Sequence, residues 1–172
     1  MSDFDATERR INNTAKRLGH YPVQSAVLIQ LIKHISDDVH DYGNVLLRQY
    51  NINNTDYHIL LMLYGSESGV ISPSQLSKAT GEKGANITRI CNELFDKQLI
   101  HRVQSERDRR KVDLSLTKQG LKLVESVLPE SCRVLDAITE GFDSKELDSL
   151  EKMLKKMLVN TKQLGLSIDS DH

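Results

Sequence analysis

One stretch of the sequence, from Ser72 to Lys118, collects side chains that suit contacts to nucleic acid. Within it, small and polar residues recur at the spacing i, i+3, i+4 and i+7, which places them on one face of a helix. They are Ala85, Thr88, Arg89 and Asn92, with Asn86 beside them near the helix start. Arginine suits a guanine or a phosphate, asparagine an adenine edge, and threonine a phosphate or a thymine methyl group. The pattern predicts a recognition helix for the major groove of duplex DNA.

A charged loop follows this helix and predicts a second contact with DNA. It contains Arg107, Asp108, Arg109, Arg110 and Lys111. A guanidinium at the end of a hairpin can reach into a minor groove and respond to its width. We interpret Asp108 as a carboxylate that holds one arginine, Arg110, in a fixed pose by paired hydrogen bonds. The loop alone fits a solvated charged hairpin equally well, and the two helices before it favour the DNA interpretation.

The helices that must position these side chains have clear starts and ends. Ser72-Pro73-Ser74-Gln75 places Ser at the N-cap, Pro at the first helical position and Gln at the third, which is a capping box. Ser72, Ser74 and the first amides of that helix suit a phosphate oxygen. After Gly81 and a short turn, the recognition helix is predicted over Gly84–Lys97. Its buried stripe is predicted to consist of Ile87, Ile90, Cys91, Leu94 and Phe95.

The periodicity then changes from helix to strand. Residues 100–103 and 112–116 alternate at period two on either side of the charged loop, which predicts a hairpin. Further helical patterns are predicted over Pro22–Tyr50, over Asn53–Gly65, from Thr117 with a kink or break at Pro129, and from Asp143 or Ser144. The first of these is apolar on two faces, one for its own domain and one for a second subunit.

These patterns predict a mainly α fold with a small β-hairpin wing, which is a winged helix-turn-helix with a helical dimerisation region. The DNA-binding domain is expected over residues 53–120, and the dimerisation region over 22–52 and 121–166. Residues 1–21 form an N-terminal extension, either a short helix or a mobile tail. Residues 167–172 are expected to be a disordered tail.

The charge distribution supports a local nucleic-acid contact although the net charge is −1. Between Lys78 and Lys118 there are ten basic and six acidic residues, so that the remainder of the chain is acidic. No apolar run is long enough to span a membrane and no signal peptide opens the chain, so we expect a cytoplasmic protein. Neither an enzyme motif nor a metal-ligand spacing occurs, so we expect a non-enzyme without a metal or other cofactor.

The sequence resembles the MarR family of bacterial transcriptional regulators from about Val23 to Leu164. The resemblance rests on Asn86-Ile87-Thr88-Arg89-Ile90 and on the D-x-R…L-x-L-T-x-x-G motif from Asp108 to Gly120. Within the family it is most similar to the EmrR/MprA-type repressors of multidrug-efflux operons, through residues 86–94 and 127–129. One departure is Gln98, where the family usually has glycine at the end of the recognition helix.

The resemblance implies a homodimer, in which the first helix and the last two helices of each chain interleave away from the DNA. It also implies repression at a pseudo-palindromic operator, relieved by a small aromatic or phenolic effector. Candidate effector contacts, which as cations or donors could meet a carboxylate, are His34, His40, Arg48, His58 and Tyr64. Each of them also fits an ordinary surface or interface residue.

Two alternatives remain open from the sequence. A redox-sensing regulator would use Cys91 or Cys132, although Cys91 falls on the buried stripe of the recognition helix. A winged helix used only for protein contacts belongs to a different class. The polar face of the recognition helix disfavours that class.

Overall fold

The computed structural model describes residues 4–105 and 112–170, with side chains described through residue 164. Over these residues the chain is mainly helical with one antiparallel pair of strands, which confirms the predicted fold class. In chain order, the elements are α1 (Phe4–Leu18), α2 (Val23–Leu47), a 3₁₀ helix (Arg48–Tyr50), α3 (Asn54–Tyr64), α4 (Pro73–Thr80), α5 (Gly84–Asp96), β1 (Ile100–Gln104), β2 (Val112–Leu116), α6 (Lys118–Ile138) and α7 (Ser144–Ser170). Among the described residues, no helix is both long and apolar enough to cross a bilayer.

Local capping explains where α3 and α4 begin. The Ser72 hydroxyl accepts from the amide of Gln75, and the Gln75 side chain accepts from the Ser72 amide, so the predicted capping box is present. Asn53 and Asp56 form the same reciprocal pair at the start of α3. Such caps satisfy amides that the first turn of a helix leaves without partners. They therefore fix the start of both helices.

The chain divides into two compact units, residues 1–128 and 129–172. The core of the first unit lies where α3, α4, α5, the hairpin and the start of α6 meet. Its fully buried side chains include Ile59, Leu60, Leu63, Leu76, Ile87, Ile90, Leu94, Ile100, Leu114, Val124 and Val127. Burying one such aliphatic side chain contributes about 1.5–3 kcal/mol. This core therefore holds α5 on the rest of the first unit.

The hairpin pairs β1 with β2 in the register Ile100↔Leu116 to Gln104↔Val112. The loop before α4 adds a bridge, because the amide and carbonyl of Ile71 both bond to the backbone of Leu114. The base of the wing is thus tied to the segment that leads into the helix-turn-helix.

The end of α5 has a close backbone turn. Gln98 lies in the left-handed region with φ 58°, the amide of Leu99 bonds to the carbonyl of Leu94, and that of Gln98 to the carbonyl of Phe95. This is the Schellman arrangement, in which glycine is usual at the left-handed position. A glutamine therefore adopts a conformation that favours glycine, and the departure seen in the sequence leaves the cap geometry in place.

Gly120, at the start of α6, lies against the end of this turn. A Cβ added there would be 2.0 Å from the carbonyl oxygen of Leu99. The Thr117 hydroxyl donates to the carbonyl of Gln98 and accepts from the amide of Gly120. Only a residue without a side chain permits this approach of α6 to the hairpin base.

The structure differs from the sequence analysis at several boundaries. Residues 4–18 form α1, with Ile11 buried, so the N-terminal extension is helical rather than a mobile tail there. Helix α6 continues past Pro129 to Ile138, so of the predicted kink or break the break does not occur. The sequence analysis expects a disordered tail from residue 167. Helix α7 instead continues to Ser170, and its sequence contains no proline that would end it. The first long helix ends in a 3₁₀ turn from Arg48 to Tyr50.

Candidate nucleic-acid interface

The turn between α4 and α5 is held by side-chain hydrogen bonds. The Ser77 hydroxyl donates to the carbonyl of Glu82 at 2.6 Å, and the Glu82 amide donates to the Thr80 hydroxyl at 3.2 Å. Gly81 closes α4 in the left-handed conformation with φ 74°. This tight turn fixes the direction in which α5 leaves α4.

Helix α5 separates an apolar face from a polar face. Ile87, Ile90, Cys91 and Leu94 are buried, as the spacing predicts. Phe95 is 43% exposed, and its predicted burial is wrong, because it lies about 80° around the helix from Ile87 at the edge of the stripe. The opposite face places four exposed residues together: Ala85, Thr88, Arg89 and Asn92. Asn86 is half-buried at the edge of that face.

The polar side chains of α5 are hydrogen-bonded to one another. The Asn86 amide group donates to a carboxylate oxygen of Glu82 at 2.6 Å. Its carbonyl oxygen accepts from Arg89 Nε at 3.3 Å and Nη2 at 2.9 Å. Arg89 Nη1 donates to a carboxylate oxygen of Glu93 at 2.5 Å. Sequence analysis did not identify the contacts of Glu82 and Glu93, although each lies four residues from its partner, a spacing that permits such a hydrogen bond.

Thr88 and Asn92 also have partners in the described chain. The Thr88 hydroxyl donates to the carbonyl of Gly84 at 2.9 Å, which leaves its methyl group free for an apolar contact. The guanidinium of Arg102, on β1, donates to the side-chain carbonyl of Asn92. The same guanidinium lies over the Phe95 ring, 5.0 Å from its centre. Arg102 therefore links β1 to α5, and this contact between distant residues left no signal in the sequence.

At the start of α4, the two serines differ in their availability. The Ser72 hydroxyl is engaged in the cap and lies 3.0 Å from that of Ser74, which is exposed. Of the pair, Ser74 is the better placed for a phosphate. The five predicted wing residues, Arg107, Asp108, Arg109, Arg110 and Lys111, lie outside the described residues, and their roles remain predictions.

The two cysteines have different surroundings. Cys91 is buried, and burial raises the pKa of its thiol, while the positive charge of Arg102 opposes this shift to a smaller extent. A thiol with a raised pKa stays protonated and reacts slowly with oxidants. Cys132 is exposed. This environment of Cys91 disfavours the redox alternative at that residue.

The five candidate effector residues have different surroundings in the described chain. His34 packs edge-on against the Phe4 ring at 5.5 Å, and His40 lies 3.3 Å from the Asn54 amide nitrogen. Arg48 follows His34 by fourteen residues, which corresponds to roughly 20 Å along a helix. His58 and Tyr64, on α3, are exposed. An open groove of about 440 Å³ beside α2 is lined by other residues: Asp38, Asp41, Tyr42 and Val45.

The chain is similar to known proteins over most of its length. Residues 41–127 match the family model described as transcriptional regulator SarA/Rot. The transcriptional repressor MprA of Escherichia coli (strain K12) is 32% identical over 163 residues, which are 95% of this chain and 93% of MprA. The Escherichia coli regulator PrsX is 29% identical over 93% of this chain and 96% of its own length.

Solved structures share the fold. The S. aureus MepR–DNA complex has a TM-score of 0.72 at 24% identity, and covers 76% of this chain and 94% of its own. AbsC, a MarR family transcriptional regulator from Streptomyces coelicolor, has a TM-score of 0.73 at 22% identity, and covers 84% of this chain and 97% of its own.

Proposed function

Because the chain belongs to the MarR family of winged-helix transcriptional regulators, we propose that it is a DNA-binding repressor that occupies a pseudo-palindromic operator as a homodimer. The observation that carries the proposal is the exposed polar face of α5, on a helix whose other face is buried in the core. A helix anchored in this way can enter a major groove without unfolding any part of its own domain.

The homodimer is supported by apolar side chains that the described chain leaves uncovered. On α7, four leucines are between 36% and 55% exposed and line a groove of about 470 Å³: Leu147, Leu150, Leu154 and Leu158. On α2, Ile29, Ile35 and Val45 are at least half exposed. Contiguous apolar surface of this kind marks an interaction site. Two copies would present two α5 helices to half-sites about one helical turn apart, on the order of 10 bp.

A small effector would then act by favouring a spacing of the two α5 helices that does not match DNA. The resemblance to multidrug-efflux repressors makes aromatic acids, phenols and efflux substrates the first compounds to screen by thermal shift. A compound that stabilises the protein should also release it from DNA. Binding without release would remove the effector from the proposal and leave the repressor.

A mobility-shift titration tests DNA binding directly. The purified protein is titrated against the DNA upstream of its own coding region and against a scrambled duplex of equal length and composition. The proposal expects a sequence-specific complex that weakens as salt is raised, because cations on the protein displace counterions from the phosphates. Equal affinity for both duplexes, or no complex, would contradict it. Light scattering on the same sample reports the mass and so tests the dimer.

A further inference from the structure

Two carboxylates lie beside the polar face that is proposed to meet DNA: Glu93 on α5 and Glu82 in the turn before it. Both weaken the attraction of this face for phosphate, and the exposed Arg89–Glu93 ion pair contributes little to stability. The side chains of Arg89 and Glu93 are 59% and 41% exposed. These two acids therefore need a different role.

The four side chains form one continuous chain of hydrogen bonds. Asn86, Arg89 and Glu93 follow one another at spacings of three and four residues, which keeps them on one stripe of α5, and Glu82 reaches Asn86 from the turn just before the helix. Glu82 is anchored at its backbone by Ser77 and Thr80, so the chain begins from a fixed point in the turn. The Glu82 carboxylate orients the amide of Asn86, whose oxygen then receives Arg89.

The donors that remain on Arg89 decide what it can read. A guanidinium has five N–H groups, and three of them donate within this chain: Nε and one on Nη2 to Asn86, and one on Nη1 to Glu93. One N–H on each terminal nitrogen is left over. Two parallel donors are what the O6 and N7 acceptors of guanine require. The bonded arrangement thus leaves Arg89 one donor on each terminal nitrogen for a base and restricts its swing toward phosphates.

We propose that Glu82 and Glu93 are positioning residues that orient Arg89 toward a guanine, so that they set base specificity at the cost of affinity for other DNA. This inference rests on the proposed function, because it has meaning only if α5 contacts base edges. Glu93 acts by accepting a hydrogen bond from Arg89 Nη1. Glu82 acts by orienting Asn86, whose oxygen accepts from Arg89.

Two substitutions at one position separate hydrogen bonding from charge. Glu93→Ala and Glu93→Gln both remove the negative charge, but only glutamine keeps an oxygen that can accept from Arg89. Asp96→Ala removes an exposed carboxylate from the same helix outside the Arg89 hydrogen bonds and serves as the control. Arg89→Ala identifies the base pair that Arg89 reads.

The probe is a duplex selected by the wild-type protein from a random-sequence library, together with its single base-pair variants and an unselected duplex. Fluorescence anisotropy gives affinities over a range of salt concentrations. Arg89→Ala should lose about tenfold discrimination at one base pair of each half-site. Glu93→Ala should lose most of the same discrimination, and Glu93→Gln should retain more of it.

The salt dependence gives a second readout. In Glu93→Ala, the released Arg89 gains access to a phosphate, so the slope for the unselected duplex should steepen by about 0.9. Asp96→Ala should leave both the discrimination and this slope near the wild-type values. Equal discrimination in Glu93→Ala, Glu93→Gln and wild type would overturn the inference, as would an equal loss in Glu93→Ala and Glu93→Gln, which assigns the effect to charge alone. Failure of the wild type to select any sequence would instead overturn the proposed function.

Discussion

Helices α5 and α7 both carry an apolar stripe, and only α5 has that stripe covered by its own chain. Ile87 and Leu94 on α5 are fully buried. On α7, through residue 164, the described side chains include no buried residue, and Leu158 is 55% exposed. The core of the chain buries the apolar face of α5, and the opposite face of the helix remains available for polar contacts. Helix α7 leaves its apolar stripe exposed, and the proposed dimer would cover it.

The largest expected effect is on stability, and it tests the buried apolar face of α5. Ile87→Ala removes a fully buried side chain, and should lower the free energy of unfolding by about 2–5 kcal/mol because it leaves a cavity. Urea titration at two protein concentrations should give the same loss at both. Thr88→Ala, on the exposed face, is the matched control, with a change within about 0.5 kcal/mol. Equal effects of the two changes would contradict the two-faced description of α5.

The next effect concerns DNA affinity, which we attribute to polar side chains of α5 and of the predicted wing. Arg110→Ala should weaken binding to the selected duplex by about 1–3 kcal/mol, because a guanidinium contact to DNA is lost. Light scattering should still report the wild-type mass. Unchanged affinity in fluorescence anisotropy would remove the wing from the proposed interface.

A smaller effect, on dimer dissociation, tests the exposed apolar stripe of α7. Leu154→Ala should raise the dissociation constant of the proposed dimer about 5- to 30-fold, because roughly 1–2 kcal/mol of apolar burial between copies is lost. Sedimentation equilibrium measures this constant. Lys152→Ala, roughly on the opposite face of α7, is the control and should leave it unchanged. A monomeric wild type, or equal effects of both changes, would mean that α7 is covered by something other than a second copy.

The smallest effect concerns the turn that ends α5. Gln98→Gly should raise the free energy of unfolding by about 0.5–1 kcal/mol, since relief of the left-handed conformation exceeds the entropy that glycine adds to the unfolded chain. Thermal unfolding followed by circular dichroism measures the change. A lower melting temperature would show that the Gln98 side chain stabilises the turn by more than its conformation costs.

The features that the sequence predicts well are those with local causes. The start of α4 follows from four consecutive residues, and the hairpin follows from alternation on either side of the loop. The exposed face of α5 follows from helical spacing alone. Each of these depends on neighbours within one turn or one strand pair, so periodicity and capping rules are sufficient.

The features that it does not predict join residues far apart in the chain. Arg102 bonds to Asn92, and its guanidinium lies over the ring of Phe95 at the surface. Lys97, at the end of α5, lies 3.5 Å from the buried carboxylate of Asp56 and donates to the carbonyl of Asn51. Neither contact has a spacing signal, because each depends on how separate elements pack. The candidate effector residues present the same difficulty, since a pocket exists only after separate elements have packed.

The approach of Gly120 to the Leu99 carbonyl has a consequence for how the chain can vary over generations. Every encoded amino acid other than glycine has a Cβ, so no substitution at this position avoids the 2.0 Å overlap with that oxygen. At Gly84 the same added atom meets nothing within 4 Å. In a saturation library under selection for repression, all changes to another amino acid at position 120 should disappear, while alanine at position 84 should persist. Position 120 is therefore expected to remain glycine, whatever DNA sequence the chain comes to recognise.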